Sequence, residues 1–268
     1  MRELSGEELK KIQIGILDYT AALCKKNNLS YWLDYGSLIG AIRHKGYIPW
    51  DDDIDISMLR KDYDRLIEIC REKQDDRYRF ECIELNPDYP YTYGKMLDKD
   101  TLVYEMGEHG LKTNVYVDVF VYDDAPSDEK EREKAYRKLR HYSNLRRFQF
   151  PMGEGPLTVR RLFGKLIRLV FKCLPKQYFV RKIVKQSRKY KETESNLVFD
   201  ISSPDFYKPW CVEKAVFQEL IDVEFEGKKY KAPRRYDEWL RMQYGDYMKI
   251  PSEEQQNAAK HNMKAYIL

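Results

Sequence analysis

The run Ile48-Pro49-Trp50-Asp51-Asp52-Asp53-Ile54-Asp55-Ile56 places four carboxylates within five consecutive positions. Like charges so close repel one another, so the run costs stability unless something cationic sits among them. The alternation from Asp51 to Ile56 predicts a strand, in which successive side chains point to opposite faces. Asp51, Asp53 and Asp55 then share one face, Asp52 falls on the other, and Ile54 and Ile56 point into a core. A strand with a dry face and three aligned carboxylates is a natural seat for a hard divalent cation. Two simpler readings compete. An acidic cluster after proline is commonly a solvated turn or a helix cap. Asp51, Asp53, Asp55 and Asp62 also fall at positions 1, 3, 5 and 12 of a calcium loop, but Ile56 stands where that loop needs glycine and Pro49 interrupts the incoming helix.

A chain of 268 residues can bury one good core with room for a helical appendage. Its 43% hydrophobic and 34% charged residues describe a globular protein and exclude a disordered one. No apolar run approaches the roughly 20 residues that span a bilayer. The stretch Met1 to Glu8 has no apolar centre and reads as a helix start capped by Ser5 and Glu8, not as a signal peptide. Cys24, Cys70, Cys82, Cys173 and Cys211 show no zinc-ligand spacing and read as free thiols, which predicts a reducing, cytoplasmic setting. The net charge of +4 is mild, but every charged residue from Pro156 to Lys191 is a lysine or arginine.

Periodicity predicts an amphipathic helix from Glu7 to Asn27, a short strand Tyr31-Trp32-Leu33, a turn Asp34-Tyr35-Gly36-Ser37 and a short helix from Leu38 to Arg43. Further on come a helix from Asp62 to Lys73 and a strand from Tyr78 to Ile83. Two strands, Tyr91–Leu97 and Leu102–Glu105, are then expected across a turn at Asp98-Lys99-Asp100. Val115 to Tyr122 is strongly β-prone with Asp118 at its centre, and Asp128 to Asn144 is a charged helix. Met152 to Pro156 reads as a linker. The expected fold class is α/β (α+β), with a mixed-sheet catalytic core over 1–150. A mostly helical, basic region over 151–268 packs on it as one continuous unit.

Three elements carry chemistry. Gly36 permits a close backbone approach to a phosphate, and Ser37 adds a hydroxyl. Asp53 and Asp55 lie two apart on one strand face. Asp118 is a lone acid flanked by Val117 and Val119, expensive there without a charged or metal partner. Gly-Ser, then Asp-x-Asp, then a third Asp on a later strand is the order of a nucleotidyltransferase-like core. Phosphoryl transfer needs its developing charge spread over divalent metal, and three carboxylates on adjacent strands can supply the ligands.

The wording from Tyr31 through Gly36-Ser37, Arg43-His44-Lys45-Gly46 and Pro49-Trp50 to Ile56 closely resembles the LicD family. That family includes bacterial phosphocholine transferases and, more distantly, the fukutin-related ribitol-phosphate transferases. Tyr93-Gly94-Lys95-Met96-Leu97, Val117-Asp118-Val119-Phe120 and a C-terminal set with Ala232-Pro233, Trp239-Leu240 and Tyr244-Gly245-Asp246 extend the resemblance. It implies a CDP-alcohol donor, with phosphocholine the best-known group moved, and a sugar hydroxyl of a teichoic acid, lipopolysaccharide or capsule precursor as acceptor. It further implies that Asp53, Asp55 and Asp118 hold Mg²⁺ or Mn²⁺, with Asp118 the alternative base and Asp51 close by. Gly36, Ser37, Arg43, His44 and Lys95 would contact donor phosphates. The zinc site of the distant eukaryotic relatives has no cysteine counterpart here, so none is expected.

Two alternatives stay open: a nucleotidyltransferase that modifies a small hydroxyl compound, and a non-catalytic binding or scaffold protein. A quaternary ammonium cargo would need an aromatic cage, and 22 tyrosines offer clusters at Tyr89, Tyr91 and Tyr93 and at Tyr104, Tyr116 and Tyr122 without selecting one. Leu162, Phe163, Leu166, Ile167, Val170 and Leu174 follow helical spacing, with Arg161, Lys165, Arg168 and Lys172 opposite. That pattern reads either as a helix with a solvated basic face or as a peripheral contact of 159–191 with an anionic membrane surface, which would put the protein at the inner face of the membrane. The acceptor would then be a lipid-linked glycan, and no nucleic-acid readout motif is present.

Overall fold

The computed structural model describes residues 1–73, 75–104, 112–149, 164, 167–171, 173–175, 177–191, 195–200, 211–258 and 264–268. Helix α1 (Gly6–Lys26) opens with the expected capping box. Ser5 Oγ accepts from the Glu8 amide while the Glu8 carboxylate accepts from the Ser5 amide. Its buried face, Leu9, Ile16, Leu17 and Cys24, joins one large core with Val115, Val117 and Val119. The helix ends at Asn27, and Asn28 takes the left-handed turn at φ 54° that Asn tolerates better than most residues.

A mixed sheet forms the centre of the molecule. Strands β1 (Arg2–Glu3), β2 (Trp32–Leu33), β3 (Asp55–Leu59), β4 (Tyr78–Glu81), β5 (Gly94–Tyr104) and β6 (Lys112–Asp124) come from the first half of the chain. Strands β7 (Leu197–Asp200), β8 (Cys211–Glu213) and β11 (Lys264–Ile267) come from the second. The main path runs β1-β11-β5-β6-β3-β2, with β4 added to β5 and β7-β8 added to β6. Strand β3 pairs parallel to β6, and β5 pairs antiparallel to β6 on the other side. Helices α2 (Tyr35–Arg43) and α3 (Arg60–Glu72) flank β3 in the chain. Helix α4 (Glu129–Arg146) packs with α5 (Tyr178–Ser187) around Ala125, Leu139, Ile183 and Phe199. A separate hairpin, β9 (Leu220–Phe225) and β10 (Lys228–Pro233), turns at Glu226-Gly227, both at positive φ as a tight hairpin turn requires. Helices α6 (Tyr236–Tyr244) and α7 (Glu253–Ala258) complete the fold.

Several expectations need correction. The acidic run is not a strand along its length: β3 begins only at Asp55, and Asp51, Asp52 and Asp53 form the loop that enters it. Mutual repulsion of consecutive carboxylates favours the loop, where they can splay apart. The segment Asp34 to Ser37 is not a free turn but the cap and first turn of α2. The two strands expected across Asp98-Lys99-Asp100 are one strand, β5, whose register to β6 shifts between Asp98 and Val103. A bulge absorbs the polar residues that read as a turn. Beyond residue 150 the described residues carry five strands, β7 to β11, beside their helices. The expected linker 152–156 and most of the expected basic helix lie outside the described residues. Within it, residues 167–171 are helical, and Leu169 and Val170 are 63% and 67% exposed.

Candidate active site

Strand pairing brings the acids together. In the parallel β3–β6 register Asp55 stands opposite Asp118, and in the antiparallel β5–β6 register Lys95 stands opposite Asp118. Directly paired residues share a sheet face, so Lys95, Asp118 and Asp55 form one row across three strands. Asp53 joins them from the loop, and one ligand oxygen from each of Asp53, Asp55 and Asp118 lies within 4.8 Å of the others. Asp51, Asp52 and Asp53 form a second group of the same closeness. Asp55 and Asp118 are buried, whereas Asp51, Asp52 and Asp53 are half-buried. Burial first, and then the charges of Asp53 and Asp118, push the Asp55 carboxyl well above its ordinary value. A hard divalent cation would reverse that penalty, and an all-carboxylate donor set is compatible with Mg²⁺ or Mn²⁺.

The lone acid in an apolar strand has its partner in Lys95. The Lys95 ammonium lies 3.1 Å from Asp118 Oδ1, and both side chains are almost wholly buried. The same ammonium sits over the ring of Tyr116 at 3.1 Å from its centroid, and 4.7 Å from that of Tyr91. An ammonium inside the sheet is thus held by one carboxylate and the electron-rich faces of tyrosines.

Helix α2 positions the loop of acids. A Cβ on Gly36 would come within 2.4 Å of Asp51 Oδ2, so only glycine lets the carboxylate approach the first turn of the helix. Ser37 Oγ accepts from the Asp55 amide at 2.8 Å, which ties the helix to the start of β3. Its hydroxyl therefore fixes the backbone of a site acid, a role that spacing alone does not reveal. Arg43 and His44 lie at the far end of α2. Arg43 donates to the carbonyls of Tyr247 and Lys249 and, through Nε, to His44 Nε2 at 2.9 Å. Burial and the adjacent guanidinium lower the His44 imidazole below its usual value.

Asp34 is the structural centre that the sequence did not single out. It is fully buried and accepts from the Tyr35 amide, Ser57 Oγ, Tyr122 Oη and Trp239 Nε1, all at 2.7–2.9 Å. Burial pushes its carboxyl up, and the donors Trp239, Ser57, Tyr122 and Tyr35 pull it back. Four donors on four elements make Asp34 the joint between α2, β3, β6 and α6. In the sequence Asp34 reads only as the first residue of a turn before the expected helix, and its partners leave no local signal. Tyr244, at the end of α6, also reaches this region. Burial, with Asp34, Asp55, Asp51 and Asp200 nearby, raises its phenol well above the ordinary value, while 45% of the residue stays exposed.

Comparison with known proteins adds a second line of observation. A family model described as the LicD/FKTN/FKRP nucleotidyltransferase domain matches residues 28–164. The lipopolysaccharide cholinephosphotransferase LicD of Haemophilus influenzae is 32% identical over 276 aligned residues, covering 100% of both chains. The ribitol 5-phosphate transferases FKRP of Homo sapiens and Mus musculus are 41% identical over 44 residues, 16% of this chain and 9% of theirs. No helix among the described residues is long and apolar enough to cross a membrane.

Proposed function

The chain belongs to the LicD family, a family of phosphotransferases, and from that membership we propose that it moves phosphocholine from CDP-choline to a sugar hydroxyl of a lipid-linked cell-surface glycan precursor. The observation that carries this reading is the row Lys95–Asp118–Asp55 with Asp53 beside it, in a chain alike over its full length to a cholinephosphotransferase. Asp53, Asp55 and Asp118 would hold Mg²⁺ or Mn²⁺, which when bound neutralises charge on the phosphates. The residues themselves do the rest. Lys95 offers a fixed positive charge to the transferred phosphoryl oxygens. Gly36 and Ser37 would contact the donor diphosphate at the α2 N-terminus, where backbone amides favour phosphate. Asp118 would either complete the cation site or take the proton of the attacking sugar hydroxyl, and Asp51 would support the site from the loop. Arg43 and His44, which face Trp50 beside the acidic loop, would contact the donor phosphates from the other end of α2.

Exposed Leu169 and Val170 beside Arg168 support a peripheral contact of the basic stretch with an anionic membrane surface, where a lipid-linked acceptor would be met. The test is product analysis. Incubated with CDP-choline, Mg²⁺ and a lipid-linked glycan acceptor, the protein should release CMP and add one phosphocholine mass to the glycan. Pyrophosphate release from a nucleoside triphosphate, without phosphocholine transfer, would favour a nucleotidyltransferase instead.

A further inference from the structure

One step along the sheet from the acid row, the same face turns aromatic. Phe120 follows Asp118 by two residues on β6, and Tyr93 lies just before β5, two residues ahead of Lys95. Residues two apart on a strand share a face and lie about 6.8 Å apart. The Tyr93 and Phe120 rings lie 4.5 Å apart between centroids at 33°, and the Tyr35 ring meets Phe120 edge-on at 4.9 Å. Tyr35 holds a left-handed backbone, φ 48°, which a bulky residue adopts only under constraint from its surroundings. That constraint is visible at both ends of the residue. Its amide donates to Asp34, and its phenol donates to the Asp200 carboxylate on β7. Tyr35 is buried, whereas Phe120, Tyr93 and Asp200 are half-buried, so the exposed part of this wall is Tyr93 and Phe120 with the Asp200 carboxylate at its edge.

Resting on the phosphotransfer reading, we propose that Tyr35, Tyr93, Phe120 and Asp200 form the subsite for the quaternary ammonium of the donor alcohol, and so select a cationic alcohol over a neutral polyol. Ring faces and a carboxylate are the groups that attract a cation too large and too methylated to be hydrogen-bonded. The spacing fits as well. With the phosphate at the Lys95–Asp118–Asp55 row, one oxygen and two methylenes of phosphocholine carry the nitrogen to the Tyr93–Phe120 row.

Binding measured by calorimetry in Mg²⁺ without acceptor tests the subsite apart from turnover. The wild-type protein should bind CDP-choline about tenfold more tightly than CDP-glycerol, a donor with a neutral polyol. Phe120→Leu and Tyr93→Leu should each bring that ratio close to one, Asp200→Asn should reduce it, and Phe120→Tyr should retain it. A thermal midpoint on each variant checks folding, and Asp200→Asn keeps the proposal testable if a ring variant does not fold. Equal affinities in the wild type, or variants that weaken both donors alike, would overturn the subsite. If the preference is present and collapses as expected while no phosphocholine is ever transferred, the subsite stands and the phosphotransfer reading fails. Transfer of phosphocholine with no such preference gives the reverse.

Discussion

A lysine ammonium buried beside Asp118 offsets one carboxylate charge at the point where four acids converge. Coulomb repulsion between carboxylates a few ångströms apart is strong in a dry site, so the placement of Lys95 on the neighbouring strand decides whether Asp118 can be tolerated at all. Removing one partner of a buried pair leaves the other uncompensated, at a cost of about 3–5 kcal/mol. Lys95→Met should therefore lower stability by about 3 kcal/mol in chelator, measured by urea denaturation. Added Mg²⁺ should recover part of the loss, because a cation bound by Asp53, Asp55 and Asp118 replaces the missing charge. An equal loss with and without Mg²⁺ would show that Lys95 does not share the electrostatics of the acid cluster.

At the scale of elements, α2 is fastened at both ends. Its first turn is held by Asp34 and by the Ser37–Asp55 contact, and its last by Arg43 on the Tyr247 and Lys249 carbonyls. Asp34→Ala would leave the Ser57 and Tyr122 hydroxyls and the Trp239 indole N–H without their acceptor inside the core. The expected loss is about 3–9 kcal/mol, at about 1–3 kcal/mol for each of the three unsatisfied groups, read from the denaturant midpoint. A loss below about 1 kcal/mol would mean that water or neighbouring groups replace the carboxylate. The helices and the β-prone run around Asp118 were legible because their signals are local: apolar periodicity, a capping box and β-branched residues. The acids and the glycine-serine pair were legible for the same reason. What escaped was set by pairing between distant strands. Nothing near Lys95 in sequence says that it will face Asp118, and nothing near Asp34 announces Trp239. The same limit made the acidic loop read as strand, since alternation of Asp and Ile from Asp51 to Ile56 fits an extended chain whether or not a neighbour pairs with it.

Across the whole molecule, strands from both halves of the chain share one sheet, and helix α6 of the second half reaches back through Trp239 to the carboxylate that caps α2. The acid site therefore depends on elements spread from Asp34 to Trp239, which is consistent with a likeness to a cholinephosphotransferase that extends over the full chain. On the proposed reading, carboxylates set close together against their own repulsion serve a divalent cation in phosphoryl transfer. Asp55 bears part of that cost. Its carboxyl is raised above 3.8, so the stability its neutral form permits is present below that pH and is lost as pH climbs through the raised value. Asp55→Asn removes the charge and nearly preserves the shape, and it separates the two roles in one comparison of thermal midpoint and turnover. In chelator at pH 7 the variant should melt at or above the wild-type temperature, and in Mg²⁺ it should release no CMP from CDP-choline. Turnover by Asp55→Asn close to that of the wild type would contradict the account.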